Sequence, residues 1–276
     1  MRETEWIHPH ANVLGVQVSA VNLEQAIALA CQWIERGASG YACMTGVHGV
    51  MEAQRDEALR EILNGAMLNA PDGMPLSWVG HAQGFHQMNY VTGPQFMEHM
   101  CGIAAERGYG IFLYGGKPGI AEILRERLQA RFPGLRVAGT WTPPFRALSV
   151  SEEEAMLSEV HRARPQIMWV GLSTPRQERF MAQYVQRLRV PLVVGVGAAF
   201  DYHTGRLRDC PSWVKRAGLQ WLHRMMQEPR RLAPRYLRNN PEFVLQIALQ
   251  LAGLRRETGN KQHDRVATRR EYEARS

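Results

Sequence analysis

Uninterrupted apolar runs alternate with helix-like stretches as far as Asp201, and no other feature restricts the fold as much. Residues 41–45, 110–114, 166–172 and 191–196 are apolar almost throughout, not at every second position. A strand of that kind needs cover on both faces, the situation in a parallel sheet between two layers of helices. The intervening stretches have helical spacing. In 23–36, Ala26, Ile27, Ala30 and Ile34 share one face, and Asn22 stands where a cap belongs. Residues 48–64, 95–107, 151–164 and 175–187 read the same way, with Ser151 and Glu154 as an expected capping box. Residues 12–18, 67–70 and 135–138 are expected as short strands. The expected fold class is therefore α/β, a mostly parallel sheet with helices on both faces. Ligands of such sheets bind beyond the carboxyl ends of the strands, which directs attention to Thr45, Asp72, Gly115, Gly171 and Gly197.

Charge divides the chain of 276 residues unequally. The net charge is +7, yet residues 206–276 hold 16 Lys and Arg against 7 Asp and Glu, and the preceding residues hold 17 against 19. A segregated basic excess implies an anionic partner: phospholipid, nucleic acid or a diphosphate. The expected organisation is an α/β body over 1–205, a helical basic appendage over 206–254, and a charged, disordered tail over 255–276. Within the appendage, 213–227 and 241–254 read as amphipathic helices, with Pro229 and Pro234 breaking the chain between them. No apolar run approaches the roughly 18 residues of a membrane span, and residues 1–10 lack the apolar core of a signal peptide. The expectation is a cytoplasmic protein. Cys31, Cys43, Cys101 and Cys210 are far apart, lack metal-ligand spacing, and read as core thiols.

Several residues are suited to chemistry. Asp72 sits in Asn69-Ala-Pro-Asp-Gly-Met, where Pro and Gly flank it as in a tight turn. Such an aspartate either binds its own backbone or, at a strand's carboxyl edge, faces a ligand. Thr45-Gly-Val-His48 brings a hydroxyl and an imidazole to a second strand end. Gly115-Gly116-Lys-Pro-Gly119 opens a helix whose amides and dipole suit a diphosphate, although the GxxxxGK[ST] spacing is missing. Gly195-Val-Gly197 matches only part of a GxGxxG fingerprint. Gln177 and Glu178 occupy the first turn of a helix, within reach of the sheet edge. Arg224, Arg231, Arg235 and Arg238 are spaced 7, 4 and 3 apart, a single face if the helix is continuous. They form either a solvated basic surface or a set of guanidinium forks for phosphate. No Asp-x-Asp occurs, so the usual carboxylate pair holding a metal on a sugar nucleotide is missing.

In order along the chain stand Thr45 with Glu52-Ala-Gln-Arg-Asp56, Leu68-Asn-Ala-Pro-Asp-Gly73, Ile111-Phe-Leu-Tyr-Gly-Gly116, Gly171 with Pro175-Arg-Gln-Glu178, Gly195-Val-Gly-Ala-Ala-Phe-Asp201, and Gly218 to Arg231 with Leu-Gln-Trp-Leu-His-Arg at its start. Through these motifs, from Asn12 to Phe243, the sequence resembles the WecG/TagA/CpsF glycosyltransferases, glycosyltransferase family 26. The resemblance implies a Rossmann-like catalytic body. It also implies inverting transfer from a UDP-sugar to a polyprenyl-diphosphate-linked sugar, with no metal and no cofactor. By that match the catalytic base is Asp72, the active-site threonine Thr45 and the substrate-binding glutamine Gln177. Arg224 and Arg231 act on the diphosphate. His48, Gly115, Gly116 and Gly197 complete the expected substrate site, and an anionic membrane surface is the expected partner of the appendage. The enzyme would then work at the inner face of the membrane, and self-association is compatible with this.

Three positions depart from the family pattern. Val47 stands where the family often has Asn, with His48 next. Tyr90-Val-Thr-Gly-Pro-Gln95 replaces an R-V-x-G-x-D stretch. Pro234 holds a third arginine position, with Arg235 adjacent. The donor need not be the N-acetylmannosamine of teichoic-acid members; a related acidic sugar or glucose for exopolysaccharide assembly is equally open. Two other classes compete. A nucleotide-binding oxidoreductase requires a full glycine fingerprint followed by an acidic residue. A nucleic-acid-binding module requires aromatics among the arginines, where only Trp213, Trp221 and Tyr236 are available.

Overall fold

The computed structural model describes residues 8–254; residues 1–7 and the expected tail over 255–276 lie outside the described residues. The chain opens with an antiparallel hairpin, β1 (His10–Val13) and β2 (Val16–Ser19). Six strands then form one sheet: β3 (Gly40–Thr45), β4 (Leu68–Pro71), β5 (Gly110–Gly115), β6 (Arg136–Trp141), β7 (Ile167–Gly171) and β8 (Leu192–Gly195). Their order is β4-β3-β8-β7-β5-β6, and every neighbouring pair is parallel.

The apolar runs are continuous because each strand feeds two cores. In β3, Tyr41 and Cys43 enter one and Ala42 and Met44 the other; in β7, Met168 and Val170 oppose Ile167 and Trp169. On one face lie α1 (Leu23–Glu35), α5 (Gly93–Arg107), α6 (Ile120–Arg131) and α9 (Ala199–His203). On the other lie α2 (Val47–Arg55), α3 (Glu57–Asn64), α4 (Met74–Ala82), α7 (Val150–Ala163) and α8 (Arg176–Leu188), together with the hairpin. Trp169 and Phe112 are fully enclosed; truncating either to alanine costs about 3–5 kcal/mol. The structure has the expected α/β architecture, and α1 carries its expected cap, with Asn22 and Gln25 exchanging 3.0 Å hydrogen bonds.

Local boundaries differ from expectation for identifiable reasons. Residues 12–18 are not one strand, because Leu14 and Gly15 turn the chain at φ 56 and 86. Residues 48–64 form two helices, since Asp56 leaves helical geometry and its side chain accepts the Leu59 N–H to start α3. The capping box of α7 uses Ser149 and Glu152, not Ser151 and Glu154; Arg146 grips the same Glu152 with both guanidinium branches, at 2.6 and 2.7 Å. Residues 213–227 divide into α10 (Ser212–Arg216) and α11 (Gln220–Gln227) around Gly218 in left-handed geometry.

The largest correction concerns the appendage prolines. They do not break the chain: Pro229 opens α12 (Pro229–Leu251), and Pro234 and Pro241 lie inside it. Proline suits a first helical position. The internal two are tolerated because tertiary packing holds the helix. Leu232, Asn239, Phe243 and Ile247 form a buried stripe, and α12 packs on α2 and α11. Its far end is tied to the hairpin, where Gln250 accepts the Leu14 N–H at 2.8 Å and donates to the Asn12 carbonyl at 2.7 Å. Among the described residues, no helix is long and apolar enough to cross a membrane.

Candidate active site

The carboxyl ends of β3, β4, β5, β7 and β8 open into a cavity of about 1970 Å³, with α10, α11 and α12 supplying another part of its wall. Asp72 lines it directly after β4. Its N–H donates 2.8 Å to the Thr45 carbonyl at the end of β3, so the two strand ends are tied together. Gly46 allows this approach, because a Cβ there would stand 2.9 Å from the Asp72 carbonyl oxygen. Asp72 is half-buried where it lines the cavity, and burial alone raises its pKa from 3.8 to about 7. A carboxyl poised near neutrality, in a cleft, suits general-base chemistry.

Helices α11 and α12 bring arginines to the same cavity. Arg224 is buried; its guanidinium lies over the Tyr202 ring at 5.4 Å, and Nη1 is 2.7 Å from the Glu228 carboxylate. Arg231 reaches the same Glu228 oxygen at 2.5 Å. One acid thus holds two arginines at the cavity edge. Burial first, then Arg231, disfavours the charge on Arg235, which also lines the cavity. Such crowding of cations is relieved by an anionic ligand. Among the described residues, no group of three or more His, Cys, Asp or Glu side chains is placed to hold a metal ion.

His48 lines the cavity too. Asn239 Nδ2 donates to its Nδ1 at 3.0 Å, which makes Nδ1 the acceptor and leaves the proton on Nε2. Burial, followed by the charges of Arg235 and Arg55, lowers the His48 pKa to about 4, so the ring is neutral. Thr45 lies just behind the wall, buried, with Oγ1 lacking a hydrogen-bond partner. Gln177 does not line the cavity. It is buried, accepts the Gly197 N–H at 3.0 Å and donates to Glu178 at 3.1 Å, shaping the loop after β8 that does line it. The Gly116 N–H is already engaged by the Gly171 carbonyl at 3.1 Å, and a Cβ on Gly115 would stand 2.6 Å from that oxygen. These two glycines serve the close approach of β5 and β7. Arg238 lies outside the cavity lining.

The cavity therefore unites Asp72, His48, Gly116, Gly197, Arg224 and Arg231, with Thr45, Gly115 and Gln177 in support. Sequence reasoning did not single out Tyr202 or Lys215, a buried cavity residue paired with Asp209, and it named Tyr236 only as an aromatic among the arginines; both tyrosines feel the Asp72 charge. Tyr202 had a usable signal, since it directly follows the motif after β8. Tyr90 of the altered stretch also lines the cavity, whereas Gln95 accepts a hydrogen bond from Thr92 at 2.9 Å.

The model of the WecG/TagA/CpsF glycosyl transferase family matches residues 11–257. The N-acetylglucosaminyldiphosphoundecaprenol N-acetyl-beta-D-mannosaminyltransferase of Bacillus subtilis (strain 168) is 24% identical over 177 residues, 64% of this chain and 67% of that protein. The enzyme of the same name from Bacillus spizizenii is 26% identical over 197 residues, 71% of this chain and 74% of its own. The parallel sheet, the cavity at its strand ends and a match that covers most of the sequence agree: the chain belongs to the WecG/TagA/CpsF family and is a glycosyltransferase.

Proposed function

We propose that the protein transfers a sugar from a UDP-sugar to a polyprenyl-diphosphate-linked sugar, with inversion and without a metal, in assembling a cell-surface polysaccharide. The observation that carries this reading is one cavity lined by the Asp72 carboxyl together with Arg224 and Arg231. The relatives' names support the acceptor class and an N-acetylmannosamine-type donor.

The reaction is one displacement at the donor's anomeric carbon. Asp72 takes the proton from the acceptor hydroxyl as its oxygen attacks, a role worth about 10²–10⁴-fold. Arg224 and Arg231 stabilise charge on the departing UDP. Neutral His48 shapes the cavity wall with its Nε2 buried, and Gln177 fixes the Gly197 turn from behind. The segment 206–254 acts as a membrane-proximal appendage. Its exposed Trp213, Met226, Leu237 and Leu245 and its basic residues favour a peripheral seat on an anionic bilayer.

The test is a panel of UDP-sugars offered with a lipid-diphosphate-linked N-acetylglucosamine acceptor, with UDP release and product mass as readouts. One donor giving an inverted, lipid-linked disaccharide is the expected result. Hydrolysis alone, or no turnover with any donor, overturns the proposal.

A further inference from the structure

We infer that the catalytic cavity continues into an apolar groove along α12 that takes the first isoprene units of the acceptor's lipid chain. The inference rests on the proposed acceptor class and adds where the chain lies. Tyr236, Asn240, Phe243, Val244, Ile247 and Leu251 all line the cavity. Their spacing keeps them on one face of the helix. Tyr236 lies within reach of the Asp72 charge. From there to Leu251 the stripe runs about 22 Å, and it is wholly apolar from Phe243 onward. Phe145, in the loop before α7, and Phe180 of α8 add apolar lining.

Two observations set this stripe apart from ordinary core. Phe243 and Ile247 are buried at the base of the stripe, while Val244 at 66%, Leu251 at 49% and Phe145 at 77% exposure make its outer wall open. The adjoining face of α12 is already engaged: Asn239 and Glu242 bind Arg55, and Gln250 binds the hairpin. The helix is thus fixed with its apolar stripe toward the cavity.

The order of chemistry identifies the occupant. A polyprenyl-diphosphate sugar presents a hydroxyl-bearing ring, then two phosphates, then a hydrocarbon chain. The cavity presents Asp72 with Tyr236, Arg231 and Arg235 on the first part of α12, and the apolar stripe further along the same helix. Burial of each methylene favours the bound chain, so affinity rises with chain length until the groove is filled.

The experiment measures kcat/KM for acceptors with the same sugar diphosphate on one, three and five isoprene units, for the wild type and for Val244→Ser/Leu251→Ser. Both positions are exposed, so the double variant keeps the fold, as a thermal melt will verify. In the wild type the three-unit acceptor should exceed the one-unit acceptor by tenfold or more; in the variant the ratio should fall to within about twofold. A wild type indifferent to chain length, or a variant with the wild-type ratio, overturns the groove. So does loss of a concentration-dependent dimer without a change in the ratio, which assigns the stripe to a second copy. Absence of transfer to any acceptor defeats the proposed function instead. Binding then decides the groove: with UDP saturating, the wild type should prefer farnesyl diphosphate over methyl diphosphate by tenfold and the variant should not, and equal affinities in the wild type overturn it.

Discussion

Asn239 of α12 donates a 3.0 Å hydrogen bond to Nδ1 of His48, in the first turn of α2. The amide oxygen of Asn239 accepts from Arg55 at 3.0 Å, and the residue is 2% exposed. A single buried amide therefore joins α12 to α2 through two partners. Asn239→Ala leaves both partners short of a bond and should cost about 1–3 kcal/mol. Because α12 carries Arg231 and Arg235, transfer should fall further than stability alone explains. Hydrogen exchange in α12, compared with kcat, checks this; unchanged exchange there would show that the amide does not hold the helix.

Burial of the same His48 ring predicts an acid sensitivity. His48 has a native pKa of about 4 against an ordinary 6.5. Between those values the unfolded chain binds a proton that the native state does not. Stability contributed by the neutral ring is complete above about pH 6.5 and is lost as pH falls through 4. His48→Asn should reduce the stability difference between pH 4.5 and pH 7.5, measured by urea unfolding. An identical difference in variant and wild type would refute the assignment.

Asp72 behaves with the opposite sign. Its pKa of about 7 exceeds the ordinary 3.8, so the native state keeps a proton that the unfolded chain releases in that window. Native stability therefore declines as pH rises from about 4 to about 7 and levels off beyond. Activity runs the other way, since a base must be ionised, and kcat/KM should rise with pH to a plateau above about 7. Asp72→Asn should lower transfer by at least 10²-fold while stabilising the fold at pH 8 relative to the wild type. Paired pH–rate and pH–melting profiles decide it.

Glu228 holds Arg224 and Arg231 at 2.7 and 2.5 Å. Glu228→Gln keeps the shape but removes the charge that aligns both guanidiniums. The expected outcome is a kcat loss of about tenfold, corresponding to roughly 1.4 kcal/mol, with a smaller change in donor KM. A defect confined to KM would place these arginines in ground-state binding.

The sheet was legible because strands buried on both faces carry unbroken apolar runs, as β5, β7 and β8 do. The hairpin was not, because an apolar Leu14 occupies a left-handed turn position that usually falls to Asn, Asp or Gly. Its turn is held from outside, by Gln54 at 2.9 Å and Gln250 at 2.8 Å, and neither partner is near in sequence. Asp72 was visible as a Pro-Asp-Gly turn at a strand end. Lys215 and Tyr236 were not, since only the folding of α10 and α12 over the sheet edge brings them to the cavity. The prolines of α12 misled for a related reason: local propensity argues for a break, and tertiary packing outweighs it.

Gln177 offers the sharpest separation of touching from positioning. Its side chain is buried beside the loop after β8, with Oε1 on the Gly197 N–H and Nε2 on Glu178. Gly195 leaves it room, because a Cβ there would stand 2.8 Å from Met181 Cε and 3.0 Å from Gln177 Nε2. Gly195→Ala therefore crowds both Met181 and Gln177 and shifts the glutamine without deleting it, at a cost of about 1–3 kcal/mol. If Gln177 works by holding the Gly197 turn, Gly195→Ala and Gln177→Ala should give the same rise in donor KM with similar kcat. If the glutamine itself bonds the substrate, Gln177→Ala should lose kcat as well, and the two variants should part. Steady-state kinetics of the pair, measured at a temperature where both stay folded, distinguishes these roles.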